Sequence, residues 1–244
     1  MWILPLYFLL FCQALYSLSI STLEANKIGE KIWKNECAGT IEGLTSWNKG
    51  EQFASLGIGH FIWYPAGKKG DFQETFPDLL KFLQQEGTTL PSWLTVGSEC
   101  PWNSREEFHE AIESPKMKSL RQFLFCTKQL QAIFMAKRLE QFLSVFLNKE
   151  KIATLLANSN GIYALLDYLN FKGSGTSPKE TYKGQGWGLL QVLQLMPTSS
   201  IEDFVESAKF VLKRRVENSP PERNEKQWLK GWFNRLETYT QGNS

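Results

Sequence analysis

Several features are scarce in this chain, and each scarcity removes a class of function. There is no surplus of either charge: 27 Lys and Arg face 25 Asp and Glu, for a formal net charge of +2. No broad basic field therefore points to nucleic acid as the main partner. The run "KRR", Lys213 to Arg215, reads as the solvated face of a helix that could also rest on an anionic cell wall. Histidine is rare, with His60 and His109 the two present, and no CxxC pair occurs. Tetrahedral zinc sites need clustered Cys and His ligands, so no metal centre is expected. No organic cofactor is implied either.

Charge is absent altogether from the first segment, "MWILPLYFLLFCQALYSLSIS". Its apolar run and its closing small residues, Ser17, Ser19 and Ser21, read as a secretory signal peptide over 1–19, cleaved near Ser19. Export to the periplasm or beyond is the expectation. The lack of a Lys or Arg at the start leaves an uncleaved anchor as the alternative. No other window is apolar for long enough to span a bilayer. Cutting the leader leaves Cys37, Cys100 and Cys126. An odd count in an exported protein permits one disulfide and one spare thiol, without choosing the pair.

What remains is long enough for a single domain over 20–244. Ser21-Thr22-Leu23-Glu24 matches a capping box, and the apolar spacing after it predicts a helix over about 22–37. Residues 40–65 are glycine-broken and rich in Trp, Phe and Ile, which predicts a β-hairpin or three-stranded sheet. A small β-containing lobe over about 38–100 is therefore expected, with one short helix at "FPDLLKFLQQ". A helical lobe over about 104–240 follows. Its expected helices are one long run after Pro115, then 150–169, 200–217 and 222–240. The fold class is mainly α with a small antiparallel β-hairpin or sheet near the N-terminus. Aromatics make up 14% of the chain, including nine Trp; such rings can stack on sugars but more commonly fill a core. Trp228, Trp232 and Leu236 fall at helical spacing and read as a core stripe.

Two stretches carry chemistry. The first is "NECAGTIEGLTSWNKGEQFASLGIGHFIWYP", residues 35–65. Glu36 ends the first helical pattern, where the macrodipole disfavours an ionised carboxyl. Trp33 and Cys37 would desolvate it, and both effects raise its proton affinity, as a general acid requires. The alternative is a surface Glu at a frayed helix end. In "SLGIGH", alternating glycines allow close backbone approach, Ser55 can hold a water or a sugar hydroxyl, and His60 is either a structural histidine or a groove residue. The second stretch is "NFKGSGTSPKETYKGQGWGLLQVL", residues 170–193. Gln185 and Gln191 can donate to and accept from sugar hydroxyls and acetamido groups, and Tyr182 and Trp187 offer flat apolar faces. The alternative is a glycine-rich loop anchored by buried rings.

Glu36 with "SLGIGH" resembles phage-type lysozymes, which carry a Glu near the end of their first helix and a hairpin closing on Thr-(Ile/Val)-Gly-x-Gly-His. "GQGWGLLQV" is similar to the Gly-Leu-Met-Gln runs of goose-type lysozymes and lytic transglycosylases, with Leu190 in place of Met, although it lies much farther from the Glu than in those families. The resemblance covers about 40 residues. It implies a lysozyme-like α+β fold and cleavage of peptidoglycan glycan strands, with Glu36 as general acid. Where phage-type lysozymes have an Asp, this chain has Lys49, flanked by Asn48. Glu51 is the nearest acid and would serve, with Ser55, as the second catalytic group; Asp71 and Glu180 are remoter candidates. Asn48, His60, Tyr182, Gln185, Trp187 and Gln191 would contact substrate. Without a second carboxylate, a transglycosylase using Glu36 alone, or a silent wall-binding protein, fits instead.

Overall fold

The computed structural model describes residues 20–70, 72–144, 150–178 and 180–241. The apolar leader at 1–19 and Asp71 lie outside the described residues. The chain folds mainly into helices, with a small antiparallel three-stranded sheet near the N-terminus. Helix α1 (Thr22–Glu36) is followed by strands β1 (Thr45–Ser46), β2 (Ala54–Leu56) and β3 (Phe61–Trp63). Then come α2 (Phe76–Gln85), α3 (Arg105–Glu110), α4 (Pro115–Cys126), α5 (Lys128–Ser144), α6 (Glu150–Leu156) and α7 (Ser159–Lys172). A two-residue ribbon, β4 (Thr181–Tyr182) with β5 (Gln185–Gly186), precedes α8 (Leu189–Leu195), α9 (Ile201–Asn218) and α10 (Leu229–Glu237). Among the described residues no helix is long and apolar enough to cross a membrane.

Helix α1 starts where the sequence dictates. The Ser21 hydroxyl accepts the Glu24 N–H and the Glu24 carboxylate accepts the Ser21 N–H, so both halves of the capping box form. Its buried stripe, Ala25, Ile28, Gly29 and Ile32, packs on α5. A Cβ on Gly29 would sit 3.2 Å from the Lys128 carbonyl, so the two helices approach closely there.

In the sheet, Thr45 pairs with Leu56, and Ser55 lies between Ser46 and Ile62. Directly paired residues share a face, so Leu56 and Phe61 point into the core while Ser46, Ser55 and Ile62 occupy the opposite face. The core runs continuously from the sheet into the helices. Trp63 contacts Phe76 and Trp102, and Trp102 contacts Phe108. Trp47, Trp63, Trp102 and Trp187 are all buried, which accounts for much of the aromatic content.

Three expected helices differ from those observed. The long run after Pro115 breaks at Thr127, whose hydroxyl turns back to the Phe123 carbonyl. The Gln131 amide then donates to the Leu124 carbonyl at 2.7 Å and to the Thr127 hydroxyl at 2.9 Å, holding the break closed. The helix expected over 150–169 is two, because Asn158 caps a new start by accepting the Gly161 N–H at 2.7 Å. The last helix starts later than expected: two 3₁₀ turns, Pro221–Arg223 and Glu225–Trp228, come first. Asn224, with φ 45°, reverses the chain between them. As a result Trp228 is 46% exposed and of the expected stripe only Leu236 is core.

Cys37, Cys100 and Cys126 are all free thiols, so no disulfide joins any two of them. Burial pushes Cys37 and Cys100 up to about 12, which leaves both thiols protonated and inert; Cys126 is exposed.

Candidate functional site

Glu36 is the last residue of α1, and three other parts of the chain meet it there. The first is the turn after β2. Gly57 has φ +70°, His60 has φ 46°, and the His60 N–H closes on the Gly57 carbonyl at 3.2 Å. Gln131 holds this turn from the helix break, accepting the Ile58 N–H at 2.9 Å. A Cβ on Gly57 would overlap that same Gln131 oxygen, so the glycine is needed both for its φ and for the approach. The Cys37 thiol reaches the Gly57 carbonyl at 3.8 Å. The outcome is His60 Nδ1 at 3.9 Å from Glu36 Oε2.

The second element is α7. Tyr163, Asp167 and Phe171 recur every fourth residue and share a face. Asn35, beside Glu36, donates to the Tyr163 hydroxyl at 2.6 Å. The third is α10, which supplies Arg235. One guanidinium nitrogen donates to Glu36 Oε1. A fork from the same group grips Asp167, with Nε to Oδ2 at 2.7 Å and Nη2 to Oδ1 at 2.8 Å. The Tyr239 hydroxyl donates to Asp167 Oδ2 at 2.6 Å. Asp167 is fully buried and is satisfied by this set. Lys31 of α1 closes the assembly by donating to the Thr238 carbonyl at 3.0 Å.

Glu36 is recessed but reachable: its side chain is 10% exposed, beside Arg235 at 13% and His60 at 32%. Burial pushes its carboxyl up, yet the Arg235 charge and hydrogen bond, aided by His60 and Lys172, outweigh that and hold it below the usual carboxylate range. This reverses the expectation drawn from the helix end and the apolar neighbours. The reason is a partner far along the chain that local sequence does not show. Arg235 is correspondingly raised: burial pulls it down, and Asp167 and Glu36 more than restore it.

The other predicted residues divide into groups. Glu51 and Asn48 lie at the hairpin tip, where the Asn48 amide donates to the Glu51 carboxylate at 3.1 Å and Trp47 Nε1 donates to the Glu51 carbonyl at 2.9 Å. No ion pair or hydrogen bond joins either of them to Glu36 among the described residues. Ser55 is buried on the outward face of the sheet, opposite Ser46, whose hydroxyl is buried without a partner. Gln191 is committed to the backbone: its Oε1 accepts the Gly188 N–H at 2.9 Å and its Nε2 donates to the Gly175 carbonyl at 3.0 Å. Its amide therefore closes the glycine loop, with one backbone bond on each polar atom. Gln185 is exposed on β5. Glu180 is half-buried and accepts the Gly175 N–H at 2.8 Å; burial holds its carboxyl above the usual range, opposed by that bond and by Arg215.

Tyr182 and Trp187 belong to a second buried ion pair. Glu225, 1% exposed, receives a fork from Arg215 at 2.7 and 2.9 Å and the Tyr182 hydroxyl at 2.9 Å. Burial pushes Glu225 up and Arg215 overrides it, so this carboxyl too is held low. The Arg215 guanidinium lies 4.2 Å from the Trp187 ring centre. Arg214 donates to the Gly186 carbonyl at 3.2 Å. Two residues of "KRR" thus point into the protein, and only Lys213 is solvated.

Sequence reasoning missed Asp167, Arg235, Lys172 and Glu225. One signal was available: Asp167 interrupts "GIYALLDYLNF", and an acid inside an apolar helix requires a buried partner. Nothing in the sequence identified that partner as Arg235. No family model, no curated protein and no solved structure matches this chain.

Proposed function

We propose that this chain is a lysozyme-like enzyme, exported by its leader, that cleaves the β-1,4 glycan strand of peptidoglycan, with Glu36 as the acid. One observation carries the reading: a recessed, solvent-reachable carboxylate at the end of α1 stands 3.9 Å from the histidine that closes the Gly-x-Gly-His turn. In the free protein Glu36 is ionised and paired with Arg235. Arg235 has a second anchor in Asp167, so a sugar that displaces it from Glu36 leaves the guanidinium held. Burial then dominates and raises the Glu36 carboxyl, which lets it take up and deliver a proton. Glu36 would protonate the glycosidic oxygen as the anomeric C–O bond breaks. The resulting carboxylate would take a proton from the incoming nucleophile.

That nucleophile is water in a hydrolase and the sugar's own hydroxyl in a lytic transglycosylase. The two routes differ in whether a second carboxylate takes part, since glycosidases that use two place them about 5–10 Å apart across the bond. Asp167 is fully engaged by Arg235 and Tyr239, whereas Glu51 carries one exposed bond from Asn48 and keeps acceptor sites for that role. Mass spectrometry of purified peptidoglycan incubated with residues 20–244, and in parallel with Glu36→Gln, separates the readings. The expected result is muropeptides that vanish in the variant: reducing ends for hydrolysis, anhydro ends for transglycosylation. No release by the unaltered protein, with both proteins still pelleting with the wall, would leave a glycan-binding module.

A further inference from the structure

Three recessed cations, Arg235, Arg215 and Lys172, lie within electrostatic reach of one another, and their partners are unequal. Arg235 has Asp167 and Glu36, and Arg215 has Glu225. Lys172, the last residue of α7, is 9% exposed, yet among the described residues no carboxylate or hydrogen-bond acceptor engages its ammonium. It lies instead 3.5 Å from the Trp232 ring centre and 3.9 Å from that of Phe171. Little water reaches this ammonium, and ring faces return only part of the hydration it has lost. Burial, then the nearby charges of Arg215 and Arg235, hold the amine well below its ordinary range, with Glu225 and Glu36 opposing. An anion arriving at this amine would supply the missing counter-charge and accept its N–H donors.

The neighbouring surface suits a sugar. Trp232 is half-buried and Trp228 is 46% exposed, with ring centres 6.1 Å apart, so α10 and the turn before it present flat apolar faces beside the amine. We infer that Lys172 and the Trp232 ring form a subsite for a carboxylate carried on the glycan. The inference deepens the glycan-cleavage reading and rests on it: the substrate is an acidic cell-wall strand, whose carboxylates sit on the lactyl ether or the peptide stem, rather than a neutral homopolymer of N-acetylglucosamine.

Calorimetric titration of residues 20–244 with three fragments tests this. They are the disaccharide with a free lactyl carboxylate, the same disaccharide as its neutral lactyl methylamide, and the disaccharide carrying a peptide stem. The expected result is binding of at least one acid form about tenfold or more tighter than the methylamide, as a charge-assisted bond allows; whichever acid form is preferred identifies the source of the carboxylate. Lys172→Met should erase the preference, so that acid and methylamide forms bind alike, and Lys172→Arg should retain part of it. That retention guards against a loss caused by misfolding, which circular dichroism also checks. Equal affinity of the unaltered protein for all three fragments, or a preference that survives Lys172→Met, overturns the inference, as does failure to bind any of them. Cleavage of strands with no acid preference would leave the enzyme reading intact. Acid preference without cleavage would retain the subsite and remove the enzyme.

Discussion

Replacing Arg235 by Gln probes the centre of the site most directly. The guanidinium serves two carboxylates at once, Asp167 and Glu36, both with side chains at most 10% exposed. Removing one partner of a buried pair costs about 3–5 kcal/mol, because the charge left behind is uncompensated. The pH dependence follows from Glu36. Its folded carboxyl lies below its ordinary value of 4.5, so in the unaltered protein it contributes stability at pH values above about 4.5, lost as pH falls through the lowered folded value. Without Arg235, burial is the largest remaining influence and pushes the carboxyl above its unfolded value. The sign then inverts, and the variant gains relative to the unaltered protein as pH falls. Urea unfolding followed by tryptophan fluorescence at pH 7.5 and pH 4.5 measures both quantities. The expected deficit is about 3–5 kcal/mol at the higher pH and smaller at the lower. A deficit below about 1 kcal/mol at pH 7.5, typical of an exposed pair, or one that does not change with pH, would refute the account of a buried three-way pair.

Three further outcomes are expected. Gly57→Ala forces a side chain into a backbone at φ +70° and against Gln131, so about 2–3 kcal/mol of stability should be lost; an unchanged urea midpoint would mean that the turn is not held as described. Gln191→Ala removes two part-buried side chain-to-backbone bonds from the 173–188 loop, and the Gly188 amide should exchange with deuterium at least tenfold faster, since each such bond is worth about 1 kcal/mol. In native residues 20–244, one thiol of three should react promptly with a disulfide reagent, because Cys126 is exposed and the others are buried; after denaturation all three should react. Slow reaction of all three in the native state, or a thiol count below three in denaturant, would contradict the free, unequally buried cysteines.

Local patterns set more of the fold than of the site. The Ser21 capping box, the apolar stripe of α1 and the glycine-punctuated strands each act over a few residues, so α1 and the sheet were legible in the sequence. The helix break at Thr127 was not, because it depends on a Gln131 amide that also holds Ile58, 73 residues away. The exposure of Trp228 was not legible either, since it follows from a left-handed Asn224 that the helical spacing gives no reason to expect.

The candidate site divides in the same way. Glu36 and the Gly57–His60 turn are short sequence signals that mark their own positions, and by itself the sequence determined that this acid and this turn are present and where each falls in the chain. Only the tertiary structure decided the charge state of the acid, because Arg235 lies 199 residues from Glu36 and Asp167 lies on a different helix. The macrodipole and the desolvation visible from α1 act to raise the carboxyl. A single opposite charge at hydrogen-bond distance in a buried setting outweighs both, because coulombic attraction strengthens as water is excluded.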